Sequence, residues 1–226
     1  MIARVFALVA RWVPGLGVVF AALVVAAYVV GSDLPGRDAS DEAWAAYYAD
    51  NGNRVQQEIA FLLIGLAGLC FLQFLGSLRG ALARAEGEPA RITTAAIASG
   101  VVFITIALLA YVVGTAMSWA VSFYDENISV DPDTARLFAQ LAWGLSVMSL
   151  FAAGGMALAT ATLALWLRAL PRWLGWLSVL ATIAGVLGIL ELTGLVVLAW
   201  IVALSAYLVW PRPSTAAVQS APPPAA

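Results

Sequence analysis

Four polar side chains in an otherwise apolar sequence have the types and placement to do chemistry: Gln57, Glu58, Gln140 and Glu191. Each falls near the margin of an apolar run. Ionisable groups inside lipid are a functional-site signal by default, because a charge there is costly to bury. Glu191 is the stronger candidate of the two acids, since Leu190 and Leu192 flank it. If the four side chains share one depth, they outline a polar, outward-facing pocket that could hold or orient a ligand. The competing reading leaves each at the membrane interface, bonded to water, headgroups or loop backbone.

A second constellation lies between the first two apolar runs. Ser32 to Arg54 is the longest polar segment of the mostly apolar part of the chain, and inside it Trp44, Tyr47 and Tyr48 are spaced i, i+3, i+4. That spacing puts three aromatic rings on one helix face. Ser40 is placed as N-cap, Asp41 and Glu42 fall in the first turn where the helix dipole favours them, and Asn51-Gly52-Asn53 reads as the stop. The expectation is a short helix at about 41–50 whose rings rest at headgroup level or on the top of a bundle. The alternative is a lid over an outward-facing cavity.

Absences narrow the chemistry further. The chain has no His, and all 11 of its basic residues are Arg. Schiff-base lysines, P-loop lysines, His-ligated haem or zinc, and Ser-His catalysis are therefore excluded. A single Cys, Cys70, leaves no intrachain disulfide or thiolate cluster, and no aspartate pair falls inside an apolar run. The acidic loop Asp125, Glu126, Asp131 and Asp133 lacks a recognised cation-binding pattern and reads as solvated charge. No cofactor and no metal site are expected. A net charge of −2 gives no reason to expect nucleic acid.

The elements that must position these groups are membrane helices. The hydrophobic fraction is 63% and the charged fraction 11%, against about 45–50% and about 25% in soluble domains. The reading is an all-α bundle, residues 1–210, of six transmembrane helices. Spans are expected at about 12–30, 56–78, 92–122, 136–167, 173–190 and 194–210. The hairpin between the last two is placed at Glu191-Leu192-Thr193-Gly194, and a Pro/Ala-rich tail, 211–226, is expected to be disordered. Arg4, Arg11, Arg79, Arg84, Arg91, Arg168, Arg172 and Arg212 fall on one side, and Arg37, Arg54 and Arg136 on the other. The positive-inside rule then puts both termini in the cytoplasm.

Small residues are expected on helix–helix contacts, since helices in lipid cannot pair by the hydrophobic effect. Gly65, Gly68 and Gly76, Gly154 and Gly155, and Gly185 and Gly188 are the leading candidates. There is also an internal echo. Ala27-Tyr28-Val29-Val30-Gly31 recurs as Ala110-Tyr111-Val112-Val113-Gly114, each copy ending an odd-numbered span. It is either a parallel repeat, both copies crossing in the same direction, or a chance match in Ala-, Val- and Gly-rich helices.

Several strings carry a likeness. They are Asp41-Glu42-Ala43-Trp44-Ala45-Ala46-Tyr47-Tyr48-Ala49-Asp50-Asn51, Phe74-Leu75-Gly76-Ser77-Leu78-Arg79, Ala85-Glu86-Gly87, and Leu170-Pro171-Arg172-Trp173-Leu174-Gly175-Trp176-Leu177. With the topology, they are similar to the DUF4386 group of six-span bacterial membrane proteins, common in actinobacteria. The resemblance implies a polytopic protein of the bacterial inner membrane and carries over no catalytic residue. The functional expectation is a non-catalytic integral protein acting through lipid, small-molecule or protein contacts, homo-oligomers included. The alternative is a small transporter or binder of an apolar or amphipathic compound, and an intramembrane enzyme comes third.

Overall fold

The computed structural model describes residues 12–36, 38–123, 130–189 and 192–210, and every described element is helical. A 3-10 turn, Val13–Gly15, leads into α1, Leu16–Val30. Next come α2, Asp41–Ala49; α3, Asn51–Glu86; α4, Arg91–Phe123; α5, Pro132–Trp166; α6, Arg172–Val186; and α7, Thr193–Val209. Four helical segments are long and apolar enough to cross a membrane: Val13–Val30, Asn51–Glu86, Arg91–Phe123 and Pro132–Trp166. The apolar helices α6 and α7 have 15 and 17 residues. Glu191, Arg4, Arg11, Arg37, Asp125, Glu126, Arg212 and the 211–226 tail lie outside the described residues.

The long helices form a closed ring in the order α1, α3, α4, α5, α6, α7 and back to α1. Neighbours run antiparallel. Gly17 faces Phe74 while Gly31 faces Ala60. Gly100 faces Met156 while Gly114 faces Ala142. Gly175 faces Leu165 while Gly154 faces Gly185. The ring therefore has a proximal end, with the start of α1 and the end of α7, and a distal end, which α2 covers. At the proximal end Ser205 Oγ donates to the Pro14 carbonyl and Gly15 lies against Val209.

The middle of the ring is filled by aromatic rings. Phe71 sits 4.8 Å from Phe20, 5.3 Å from Phe103 and 5.9 Å from Phe74, centroid to centroid, in tilted and edge-to-face pairs, the geometries the ring quadrupole favours. The small residues divide. A Cβ on Gly185 would meet the Leu150 carbonyl oxygen at 2.6 Å and Gly154 Cα at 2.7 Å, so α5 and α6 touch backbone to backbone. Gly68 lies against Leu108 and Gly155 against Ser99. Gly65 and Gly76 face open space and take no part in packing, contrary to the expectation for them. The hydroxyls of Thr160, Thr162 and Thr182 donate to carbonyls four residues back, as such groups do in apolar helices.

Two boundaries differ from the sequence reading. Asn51-Gly52-Asn53 opens α3 rather than ending α2. The break is Asp50, extended at ψ 121°, whose side chain caps α3 by accepting from Asn53 N at 3.1 Å. One residue thus ends one helix and caps the next, which a Gly-centred stop had concealed. Glu58 therefore lies about two turns inside α3 rather than one. At the other hairpin, α6 ends at Val186 and α7 starts at Thr193, so Gly194 belongs to α7 and the turn begins earlier than expected. On the proximal side Glu86 turns back to accept from Ile92 N and Thr93 N, both at 2.8 Å, and so holds the first turn of α4.

Candidate ligand cavity at the distal end

α2 is fixed to the bundle by its caps and its rings. Ser40 caps it through Ala43 N at 3.3 Å. At its other end Arg54 reaches back from α3, its Nη1 donating to the Tyr48 carbonyl at 2.7 Å and the Ala49 carbonyl at 3.0 Å. Asn53 Nδ2 donates to the Tyr47 carbonyl at 3.2 Å. These are the carbonyls that a helix C-terminus leaves unbonded, and a cation is favoured there by the helix dipole. From the far side Arg136 Nη2 bridges Asp41 Oδ1 at 2.7 Å and the Ala39 carbonyl at 2.8 Å. Trp44, Tyr47 and Tyr48 are buried, packed with Val121, Val130 and Ala135 of the α4–α5 corner. Burial holds the Tyr47 hydroxyl above its ordinary pKa, opposed in part by the Gln57 hydrogen bond, and pushes Tyr48 up to about 12, helped by Tyr47 beside it.

Gln57 connects this cap to a space beneath it. Its Nε2 donates to Tyr47 Oη at 2.9 Å, and the residue also lines a cavity of about 240 Å³. Four helices and the segment after α1 form the walls. α1 contributes Ala27 and Tyr28, its C-cap Gly31 sits beside them, α3 contributes Gln57 and Ala60, and Leu34 closes one side. α4 contributes Ala110, Tyr111, Gly114 and Thr115, and α5 contributes Ala139, Ala142, Trp143 and Ser146. Both copies of the Ala-Tyr-x-x-Gly echo therefore meet at one cavity. Their glycines sit where the next helix comes close: a Cβ on Gly31 would lie 3.5 Å from Ala60 Cβ, and one on Gly114 3.3 Å from Ala142 Cβ.

The cavity does not gather the four polar residues that the sequence singled out. Gln57 is on its wall. Glu58, next along α3, and Gln140, half-buried on α5, are not among the lining residues, and Glu191 lies outside the described residues. Depth placed Gln57, Glu58 and Gln140 together, but azimuth separates them: adjacent residues on a helix point about 100° apart. The residues that sequence reasoning passed over are Tyr28, Tyr111, Trp143 and Ser146. The repeated Ala-Tyr-x-x-Gly string was the signal for the first two.

The buried side-chain polar atoms that lack a partner among the described residues are Trp44 Nε1, Arg54 Nε, Gln56 Oε1, Glu58 Oε1 and Ser118 Oγ. All belong to α2 or to the distal parts of α3 and α4. Among the described residues no group of three or more His, Cys, Asp or Glu side chains comes together as a metal site. The described wall residues can thus offer hydrogen bonds, ring faces and small apolar surfaces, but no charge. No family model matches this chain, and no curated protein or solved structure matches it.

Proposed function

We propose that this chain is an integral protein of a bacterial inner membrane, of the DUF4386 kind, that binds a small amphipathic molecule in the cavity under α2 without transforming it. The observation that carries the reading is the cavity itself. It is walled by four helices, with no charged side chain among the described lining residues, and tied through Gln57 to a helix clamped from both sides. Binding sites in helical membrane proteins are typically such spaces between helices, with a few placed polar groups. In this reading α6 and α7 make a last, short helical hairpin that enters the bilayer from the proximal face. Both termini face the cytoplasm. Exposed Arg79, Arg84, Arg91, Arg168 and Arg172 crowd the proximal end, and Trp12, Trp166, Trp173, Trp176 and Trp210 are exposed there as well, as in a cytoplasmic-side aromatic belt.

Native mass spectrometry of the protein in mild detergent tests the binding reading. The expected result is a discrete co-purifying mass that disappears in Ser146→Phe, which fills the cavity from a position whose own hydroxyl only bonds back to the Ala142 carbonyl. A co-purifying mass that survives Ser146→Phe would move the site elsewhere. Topology is tested apart from this: a reporter fused after Asn51 should report from the periplasm, and a cytoplasmic signal would sink the orientation.

A further inference from the structure

The bundle is not equally closed along its length. A Cβ on Gly188, just past the end of α6, would lie 3.0 Å from Leu150 Cβ, so the described end of α6 stands level with Leu150 on α5. From Leu150, α5 runs on to Pro132, a further roughly 27 Å at 1.5 Å per residue. In the proximal half α6 and α7 fill the space between α5 and α1. In the distal half nothing among the described residues does, and α1 and α5 form no packed seam of their own. The cavity lies at this gap, with residues of both helices on its walls. Its rim residues are Tyr28, 69% exposed, and Trp143, 45% exposed, and both are on the helices that flank the opening. In the reading proposed above, an opening between two spans at this depth faces lipid.

The walls define what fits. Ala27, Gly31, Ala60, Ala110, Gly114 and Ala142 project almost nothing, which leaves the space between the helices open. Tyr28, Tyr111 and Trp143 offer ring faces, and the Gln57 amide and the phenol hydroxyls offer hydrogen bonds. Among the described residues no Asp, Glu or Arg lines the space, so a charged head would be desolvated there without a partner from them. At about 240 Å³ the space is smaller than the range of about 300–1,000 Å³ usual for a whole drug-sized ligand. It suits the head of a molecule whose remainder lies elsewhere.

We infer that the cavity is the head-binding slot for an uncharged, ring-bearing, lipid-soluble molecule of the quinone class, which reaches it sideways from the bilayer between α1 and α5. The inference rests on the binding reading above and adds the ligand class and the route. The tail stays in lipid, the ring enters between the two Ala-Tyr-x-x-Gly elements, and its carbonyl oxygens accept from Gln57 or the tyrosine hydroxyls.

The test uses the full chain in nanodiscs of neutral phosphatidylcholine. 2,3-Dimethoxy-5-methyl-1,4-benzoquinone is titrated with and without a decyl chain. Binding is read as the part of the indole quenching that Trp143→Phe removes. Saturable quenching by the decyl compound, at least about tenfold weaker for the tail-less one, supports the inference. So does its loss in Ser146→Phe and a few-fold weakening in Tyr111→Phe. Equal affinity with and without the tail would overturn the lateral route. Quenching that is linear, or unchanged in Ser146→Phe, would overturn the quinone class. If dodecyl phosphate then saturates the same signal, the class falls while the binding reading stands. If neither probe saturates it and no co-purifying mass responds to Ser146→Phe, the binding reading falls too.

Discussion

The two halves of this bundle solve the same packing problem in opposite ways. In the proximal half six helices meet, α5 and α6 touch through Gly154 and Gly185, and buried polar atoms find partners. Trp200 Nε1, for instance, donates to Ser178 Oγ at 2.8 Å, and Ser178 Oγ donates to the Leu174 carbonyl at 2.8 Å. In the distal half four helices remain, a cavity opens among them, and the buried polar atoms that lack a partner among the described residues gather there. Native interiors keep such atoms few, since each costs about 1–3 kcal/mol when left dry. The difference teaches where stability was built and where it was left incomplete, and the incomplete half is the one with space for a ligand.

The largest expected effect breaks the closed half. Gly185→Leu drives its Cβ into backbone atoms of α5 that cannot step aside. It should cost about 3 kcal/mol or more and lower the thermal midpoint in detergent more than any other change considered. Gly65→Leu is the matched control, since its Cβ meets nothing within 4 Å, and it should stay within about 0.5 kcal/mol of wild type. If the two variants lose stability equally, the close α5–α6 seam is not what holds the proximal half.

A smaller effect is expected at the cap of the open half. Arg54→Met keeps the apolar stem but removes the donors on the Tyr48 and Ala49 carbonyls. Hydrogen bonds to a charged group contribute about 1.5–3 kcal/mol, so about 2 kcal/mol should be lost. Hydrogen exchange should speed up in α2 and the first turns of α3, with α5–α6 protection unchanged. Uniform loss of protection would mean that the halves unfold as one unit and that the contrast between them is only geometric.

Much of this was legible in the sequence, for physical reasons that also mark its limit. Apolar runs announce helices because backbone in lipid must bond to itself, and Ser40 announced the start of α2 because few side chains can cap. That Trp44, Tyr47 and Tyr48 share one face followed from their i, i+3, i+4 spacing, but that the face packs on Val121, Val130 and Ala135 rather than resting at headgroup level did not. The Asp50 break was not legible, because Asn51-Gly52-Asn53 is compatible with either ending a helix or opening one, and Asp50's side chain decided it. The cavity wall was not legible either. Periodicity gives the depth of Gln57 and Glu58 along α3, but which of them faces α1 and α5 depends on how that helix is rotated in the ring, and that is set by contacts such as Phe20–Phe71 far along the chain.

The finest expected effect uses pH to separate the halves without a large change in packing. Tyr48 is buried against α4 and α5, and its hydroxyl is pushed from 10.0 up to about 12. Between those values the unfolded segment ionises while the folded one stays neutral. The stability that this group contributes is therefore fully present below about pH 10 and is lost as pH rises through about 12. Phenolate absorbance should show a last tyrosine step near pH 12, after that of Tyr47, and Tyr48→Phe should remove that last step. The same variant should blunt the alkaline loosening of α2 seen by hydrogen exchange, while exchange at the Gly154–Gly185 seam of the proximal half, with no tyrosine among its close contacts, should not respond to either change. A late step that persists in Tyr48→Phe would assign it to another ring. The cap over the cavity would then be less tightly packed than the buried faces of Trp44, Tyr47 and Tyr48 require.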